Sequence, residues 1–305
     1  MKAVVTGATG AVGMALLREL ESRGVETLVL CRKGSRRNDR IPSSPYIKKA
    51  ECSLSELCEF SVETGEKYDV FYHFAWEGTT GSSRNDMKLQ NNNVKYALDA
   101  LELASRLGCK TFVGAGSQAE YGRVEGKLTP KTPAFPENGY GIAKLCAGNM
   151  CRVAAEELGI RFVWARILSV YGPYDTENSM VMSTIIKLLG GEKPRFTAGE
   201  QIWDYMYSAD AARALYLLGV TEGAKGTYCL GSGEPRQLRE YITAIRDEVA
   251  PNAELGLGDV PYAKNQVMYL CADISKLEAD TGFAPSVSFR EGIHETAEWF
   301  KTEKR

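Results

Sequence analysis

The sequence predicts an α/β fold, a doubly wound parallel sheet followed by a smaller C-terminal substrate-binding region. Two observations carry this. The chain opens with a strand, a glycine loop and a helix, and strand-like apolar runs then alternate with helical patterns as far as residue 168. Its 305 residues are enough for one large domain or two modest ones.

The first strand spans Lys2 to Thr6, and an amphipathic helix enters at Ala11 with Val12, Leu16, Leu17 and Leu20 as its apolar positions. Between them lie Gly7, Gly10 and Gly13. Glycines at this spacing let the backbone turn sharply, approach a pyrophosphate without an intervening Cβ, and pack the helix closely on the strand. Loop amides and the positive end of the helix dipole then face the phosphates, so the stretch is expected to bind a dinucleotide.

Glu26 to Cys31 reads as a second, buried strand. Where an acidic residue for a ribose 2′-hydroxyl is usual, the chain has Cys31 followed by Arg32 and Lys33, with Arg36 and Arg37 close behind. Cations without an anionic acceptor suit a 2′-phosphate, so NADP is expected, with NAD as the alternative.

Tyr46 to Glu51 is a third strand, a helical stretch begins at Ser53, and Tyr68 to Ala75 is a fourth strand. The loop Trp76 to Arg84 leaves its carboxyl end, where open parallel sheets bind ligands. A long helix from Met87 to Leu107 and a fifth strand, Lys110 to Gly114, lead to Ser117. Past a proline- and lysine-rich loop, a helix beginning near Gly139 carries Tyr140 and Lys144. Positions four apart share a helix face, so a phenol and an ammonium can point at one site. The cation is expected to lower the tyrosine pKa and make it a usable acid and base.

Composition narrows the function classes. A net charge of −2 gives no basic excess for nucleic acid, and no apolar run reaches membrane-spanning length. Because the first strand starts at Lys2 without a leader, a cytoplasmic location is expected. Eight scattered cysteines read as small buried hydrophobes. With only His73 and His294, no metal site is expected and neither histidine is a catalytic candidate.

Gly7 to Gly13, Ser117 in Gly-Ser-Gln-Ala-Glu-Tyr-Gly, and Tyr140-Gly-Ile-Ala-Lys144 stand in the order and rough spacing of a known family. The chain resembles, over essentially its whole length, the extended short-chain dehydrogenase/reductases that act on nucleotide sugars. Asn93-Val94, Val170-Tyr-Gly-Pro173, Asp204 to Asp210 and Gly231-Ser-Gly233 extend the likeness. It implies a dinucleotide-binding Rossmann domain over 1–168, to which parts of 200–231 return, and a mainly substrate-binding region over 169–305.

The resemblance implies a catalytic set of Ser117, Tyr140 and Lys144. Gly7, Thr9, Gly10, Ala11, Val12, Gly13, Arg32, Ala75 and Asn93, with Tyr140 and Lys144, are expected at the cofactor. Trp76, Arg84, Ser117, Gln118 and Trp203 are expected at the substrate, a nucleotide sugar. Related 4,6-dehydratases carry Asp-Glu after the hydroxyl residue, and here Gln118-Ala119 stands instead, which argues against removal of water.

The remaining expectation is reduction of a 4-keto sugar nucleotide by NADPH. A 4-epimerase holding NAD tightly is the alternative, and a non-catalytic dinucleotide sensor the second alternative. Trp203 occupies a position where many relatives place a phosphate-clamping arginine; Arg84, Arg195 and Arg236 are candidates to replace it. Pairing of relatives through their two long helices implies a homodimer.

Overall fold

In the first strand, β1 (Lys2–Thr6), Ala3 and Val5 face one side of the sheet and Val4 the other, and all three are buried. A strand covered on both faces needs helices on both sides, and the chain supplies them. In chain order follow α1 (Ala11–Ser22), β2 (Glu26–Cys31), β3 (Ile47–Glu51), β4 (Val70–His73), α2 (Met87–Arg106), β5 (Thr111–Ser117), α3 (Gly139–Glu157) and β6 (Arg161–Ile167). Then come β7 (Ser169–Tyr171), α4 (Met180–Leu189), β8 (Arg195–Phe196), β9 (Ile202–Trp203), β10 (Tyr205–Tyr207), α5 (Ser208–Val220) and β11 (Gly226–Leu230). The chain closes with β12 (Arg236–Gln237), α6 (Leu238–Val249), β13 (Gly256–Leu257), α7 (Ser275–Thr281) and α8 (Phe289–Glu303). This computed structural model describes residues 1–62 and 65–303.

Seven strands form one sheet in the order β11-β6-β5-β4-β1-β2-β3, and every neighbouring pair is parallel. The strand order reverses between β1 and β4, so a crevice opens at their carboxyl ends. On one face α1 packs against α5, burying Leu16, Leu17, Leu20, Leu215 and Leu218. Each such side chain contributes roughly 1.5–3 kcal/mol. On the other face α2 packs against α3 over an aromatic row, Phe71, Phe112, Phe162 and Trp164, with successive ring centroids 5.7, 6.2 and 6.0 Å apart.

A further core lies outside the sheet, where α4, α6 and α8 bury Val181, Ile185, Ile245 and Ile293 around Tyr171, Tyr207, Tyr241 and Phe289. Six of the eight cysteines are buried and all are free, in line with the sequence reading. His73 is buried in the core with Nδ1 3.0 Å from Thr6 Oγ1, and burial pushes it down to about 3. Among the described residues no helix is long and apolar enough to cross a membrane.

The helical stretch expected from Ser53 is only a short 3-10 turn, Leu54–Glu56, closed by a Ser53/Glu56 capping box. The alternating run from Glu200 to Tyr207 has the pattern of a single strand but forms two, because Asp204 turns inward and is fully buried. Its Oδ1 accepts from Ser232 N and Oγ at 2.7 and 2.6 Å, and its Oδ2 accepts from Gly233 N and Ala272 N at 3.1 and 3.0 Å. Arg236 and Gln237 pair antiparallel with β9 before α6 begins.

Candidate active site

The glycine loop divides its work by position. Gly7 has φ +75°, and a Cβ there would sit 2.4 Å from Ala75 N. At Gly13 a Cβ would meet Gly7 O at 2.2 Å, which brings α1 close onto the loop. Gly10, the N-cap of α1, has nothing within 4 Å of its Cβ position and faces a cavity of about 510 Å³. A backbone left open in this way at a helix N-terminus suits an anionic diphosphate.

The cavity runs from Thr6, Gly7, Thr9 and Gly10 past Ala75 and Trp76 on one side to Leu30, Cys31 and Arg32 on the other. Ser35, Arg37 and Asn38 join Arg32 at the end of β2. Glu77, beside Trp76, is the one carboxylate among the described residues lining it. Ala11 and Val12 form the first turn of α1; Ala11 lines a neighbouring groove and Val12 packs on the core. Asn93 is not among the residues that line the cavity. It is buried, and its amide accepts from Glu77 N and donates to Glu77 O, both at 2.9 Å, fixing the loop after β4.

Ser117, Tyr140 and Lys144 come together at the same sheet edge. Ser117 ends β5 and Asn138 caps α3 by accepting from Gly141 N at 2.9 Å, which sets the first turn carrying Tyr140. The Ser117 side chain, which accepts from Ala119 N at 3.2 Å, lies close enough to the Tyr140 phenol to lower its pKa. Lys144 is buried, donates to Ala115 O at 2.7 Å, and holds its Nζ 3.7 Å from the centroid of Trp76. Trp76 in turn meets Tyr140 edge-on, with centroids 6.2 Å apart, and donates its Nε1–H to Gln90 Oε1 at 2.9 Å.

The electrostatics correct one expectation. The Tyr140 phenol is raised above its ordinary value, because burial outweighs the nearby Ser117 hydroxyl and the Arg84 charge, which both lower it. Lys144 lies 5.8 Å from the Tyr140 ring centroid, and burial pulls its own pKa down to about 7. The cation that acts on the phenol is Arg84, 4.3 Å from the ring centroid and held by donation to Thr79 O.

Trp203 lines a second cavity, of about 260 Å³, with Leu168, Ser169, Tyr171, Asp175, Met180 and Tyr205, and donates to Ser169 Oγ at 2.8 Å. Ser117 pairs with Ile167, so Leu168 continues directly from the strand beside Ser117. Burial raises the Asp175 carboxyl. Gln118 opens the 3-10 turn after Ser117 and lines neither cavity. Of the candidate clamps, Arg195 pairs with Asp259, whereas Arg236 lies directly across the ladder from Trp203 and pairs with Glu234.

Sequence reasoning passed over Ser35 and Asn38 at the cavity and the stacking of Arg84 on Tyr140. It also gave no role to Glu120, which the fold buries next to Ser117. Among the described residues there is no metal-binding cluster.

An uncharacterised UDP-glucose epimerase of Bacillus subtilis is 26% identical, over 96% of this chain and 96% of that protein. A dTDP-glucose 4,6-dehydratase of Salmonella typhimurium is 25% identical over 98% and 92%. In fold the chain resembles a UDP-N-acetylglucosamine 4-epimerase from Methanobrevibacter ruminantium, with a TM-score of 0.88 at 21% identity over 99% and 98% of the two chains. A UDP-glucose 4-epimerase from Thermotoga maritima gives 0.85 at 23% identity over the full length of both. The glycine loop, the Ser117 strand end and the Tyr140 helix all fall within residues 3–231, which match the model of the NAD-dependent epimerase/dehydratase family, and the chain belongs to that family.

Proposed function

We propose that the chain catalyses hydride transfer at C4 of a nucleotide-activated sugar, in the net direction of reducing a 4-keto group, with Tyr140 as the acid. The observation that carries this reading is the convergence of Ser117, Tyr140 and Lys144 on Trp76, a residue of the glycine-loop cavity wall. A nicotinamide bound there supplies or accepts the hydride. Tyr140, with its pKa raised, stays protonated at neutral pH and donates to the carbonyl oxygen as it gains charge. Ser117 hydrogen-bonds the same oxygen, and Lys144 holds the ribose.

The residues fit a dinucleotide: Gly10 leaves room for a diphosphate, and Arg32 and Arg37 at the far end suit a 2′-phosphate. NADP is therefore the proposed cofactor. The second cavity, lined by Leu168 and residues of the 169–305 region, takes the sugar nucleotide, with Trp203 as a stacking surface. Gln118-Ala119 supplies no carboxylate for removing water, and the next acid, Glu120, is locked in an ion pair with Arg166. Outward-facing Ile142, Cys146, Met150 and Val153 recur at helical spacing on α3, which supports a homodimer formed through that helix.

A 4-epimerase with retained NAD is the second reading, supported by the likeness to the epimerases named above. The test is a panel of 4-keto and 4-hydroxy sugar nucleotides with NADPH and NADH. Stoichiometric NADPH oxidation by a 4-keto sugar supports reduction. Interconversion of 4-hydroxy epimers without added cofactor supports the second reading, and binding without turnover favours a sensor.

A further inference from the structure

Glu120 is fully buried at the third position of the short turn that follows Ser117. Its Oε1 accepts from Ser117 N at 2.8 Å and from Trp164 Nε1 at 3.0 Å, and its Oε2 accepts from Arg166 Nε at 2.6 Å. Arg166, itself buried, lies over the Tyr121 ring at 4.4 Å, so every polar face of the carboxylate is met from β5, β6 or the turn itself. Space for this arrangement is made by glycine. A Cβ at Gly116 would come within 2.6 Å of Glu120 Oε1, and one at Gly114 or Gly148 would strike the Trp164 ring.

A bare ion pair needs none of this. Isolating a carboxylate from water is costly, and apolar residues in place of a buried pair are often as stable. Of the carboxylate's contacts, the bond to Ser117 N–H is the one that reaches the proposed reaction centre; it closes a reciprocal box in which the Glu120 and Ala119 amides donate to the Ser117 oxygen. We propose that Glu120 is a positioning residue: by anchoring the Ser117 backbone it holds the Ser117 hydroxyl against Tyr140, and Arg166 with Trp164 keeps the anchor in place. The proposal rests on the reading of Ser117 and Tyr140 given above.

Titratable and charged groups facing Glu120 are Arg166 and Tyr121, with Tyr140, Lys144 and Cys229 within its electrostatic reach. A charge effect must therefore be separated from a positional one. Two paired variants do this: Glu120→Gln with Arg166→Met keeps an oxygen for Ser117 N–H, and Glu120→Leu with Arg166→Met removes it. Both discard the same charges. If the Leu pair does not melt cooperatively, Glu120→Met takes its place.

The Gln pair is expected to stay within about threefold of the parent kcat, and the Leu pair to fall about tenfold or more at little change in KM. In a Ser117→Ala background the difference between the pairs should vanish, because the anchor then has nothing to place. Equal losses in the two pairs, or a difference that persists without the Ser117 hydroxyl, overturn the proposal.

A readout independent of turnover is the titration of Tyr140 by NMR of ¹³Cζ-labelled tyrosine, assigned by its absence in Tyr140→Phe. Displacement of the Ser117 hydroxyl from the phenol in the Leu pair should place the Tyr140 midpoint above that in the Gln pair. Coincident midpoints overturn the proposal. Failure of the parent to turn over any sugar nucleotide counts against the proposed function and leaves the NMR comparison to decide on Glu120.

Discussion

The Arg84 guanidinium lies 4.3 Å from the centroid of the Tyr140 ring, against the face of the residue whose proton is at issue. A cation there favours the phenolate and so opposes the effect of burial. Arg84→Met should raise the Tyr140 midpoint, read by NMR of the labelled phenol. The alkaline limb of the rate profile should move upward with it. An unmoved midpoint would show that the guanidinium is solvated rather than coupled to the ring.

Tyr140→Phe leaves the ring packing against Trp76 and removes only the hydroxyl. Turnover should fall by about 10²- to 10⁴-fold while dinucleotide affinity stays within a few fold. Stopped-flow reduction and a fluorescence titration separate the two quantities. Retained turnover would remove Tyr140 from the chemistry.

Cofactor choice is predicted from the end of β2. Arg32→Asp places an anion where the cavity now has Arg32, Ser35, Arg37 and Asn38. The ratio of NADPH to NADH affinity should drop by about tenfold or more, because a carboxylate repels a 2′-phosphate and accepts from a 2′-hydroxyl. Equal affinity for both coenzymes in the parent chain would sink the NADP assignment.

Assembly is predicted from α3. Met150→Lys together with Val153→Glu interrupts the outward apolar row between Ile142 and the helix end. Sedimentation velocity should report a dimer for the parent and a monomer for this variant, with an unchanged far-UV spectrum. A parent that sediments as a monomer at micromolar concentration would refute the interface.

Acid stability is predicted from His73. Its pKa falls from 6.5 to about 3 on folding, because burial disfavours the imidazolium. Below pH 6.5 the unfolded chain therefore takes up a proton that the folded chain refuses, so stability declines as pH falls from about 6.5 toward 3. The slope from this one group is at most about 1.4 kcal/mol per pH unit. Urea unfolding of His73→Gln should show a shallower decline across that window; identical slopes would mean the buried ring is protonated in the fold.

The strand-loop-helix opening was legible because glycine spacing and apolar periodicity report local geometry, and β1 and α1 begin where the sequence places them. Tyr140 and Lys144 were legible for the same reason, four residues apart on one helix. What the sequence did not show is what burial does to them. Burial pulls the Lys144 pKa down to about 7, and the neighbours that bury it, Trp76 and the Ala115 carbonyl among them, come from distant strands and loops. Asp204 was hidden likewise: an acid in an alternating run reads as solvent-facing until Ser232, Gly233 and Ala272 arrive to enclose it.

That enclosure constrains how the chain can vary in length. Trp203 is the immediate neighbour of Asp204, so any insertion that displaces residues 231–233 or 271–272 would drag on the indole through the shared carboxylate. Loops that contribute nothing to this clasp, such as 250–255, are free to lengthen. Natural or engineered diversification of ligand preference has to proceed by exchanging side chains around Trp203, since resizing the backbone there would unfasten three segments at once.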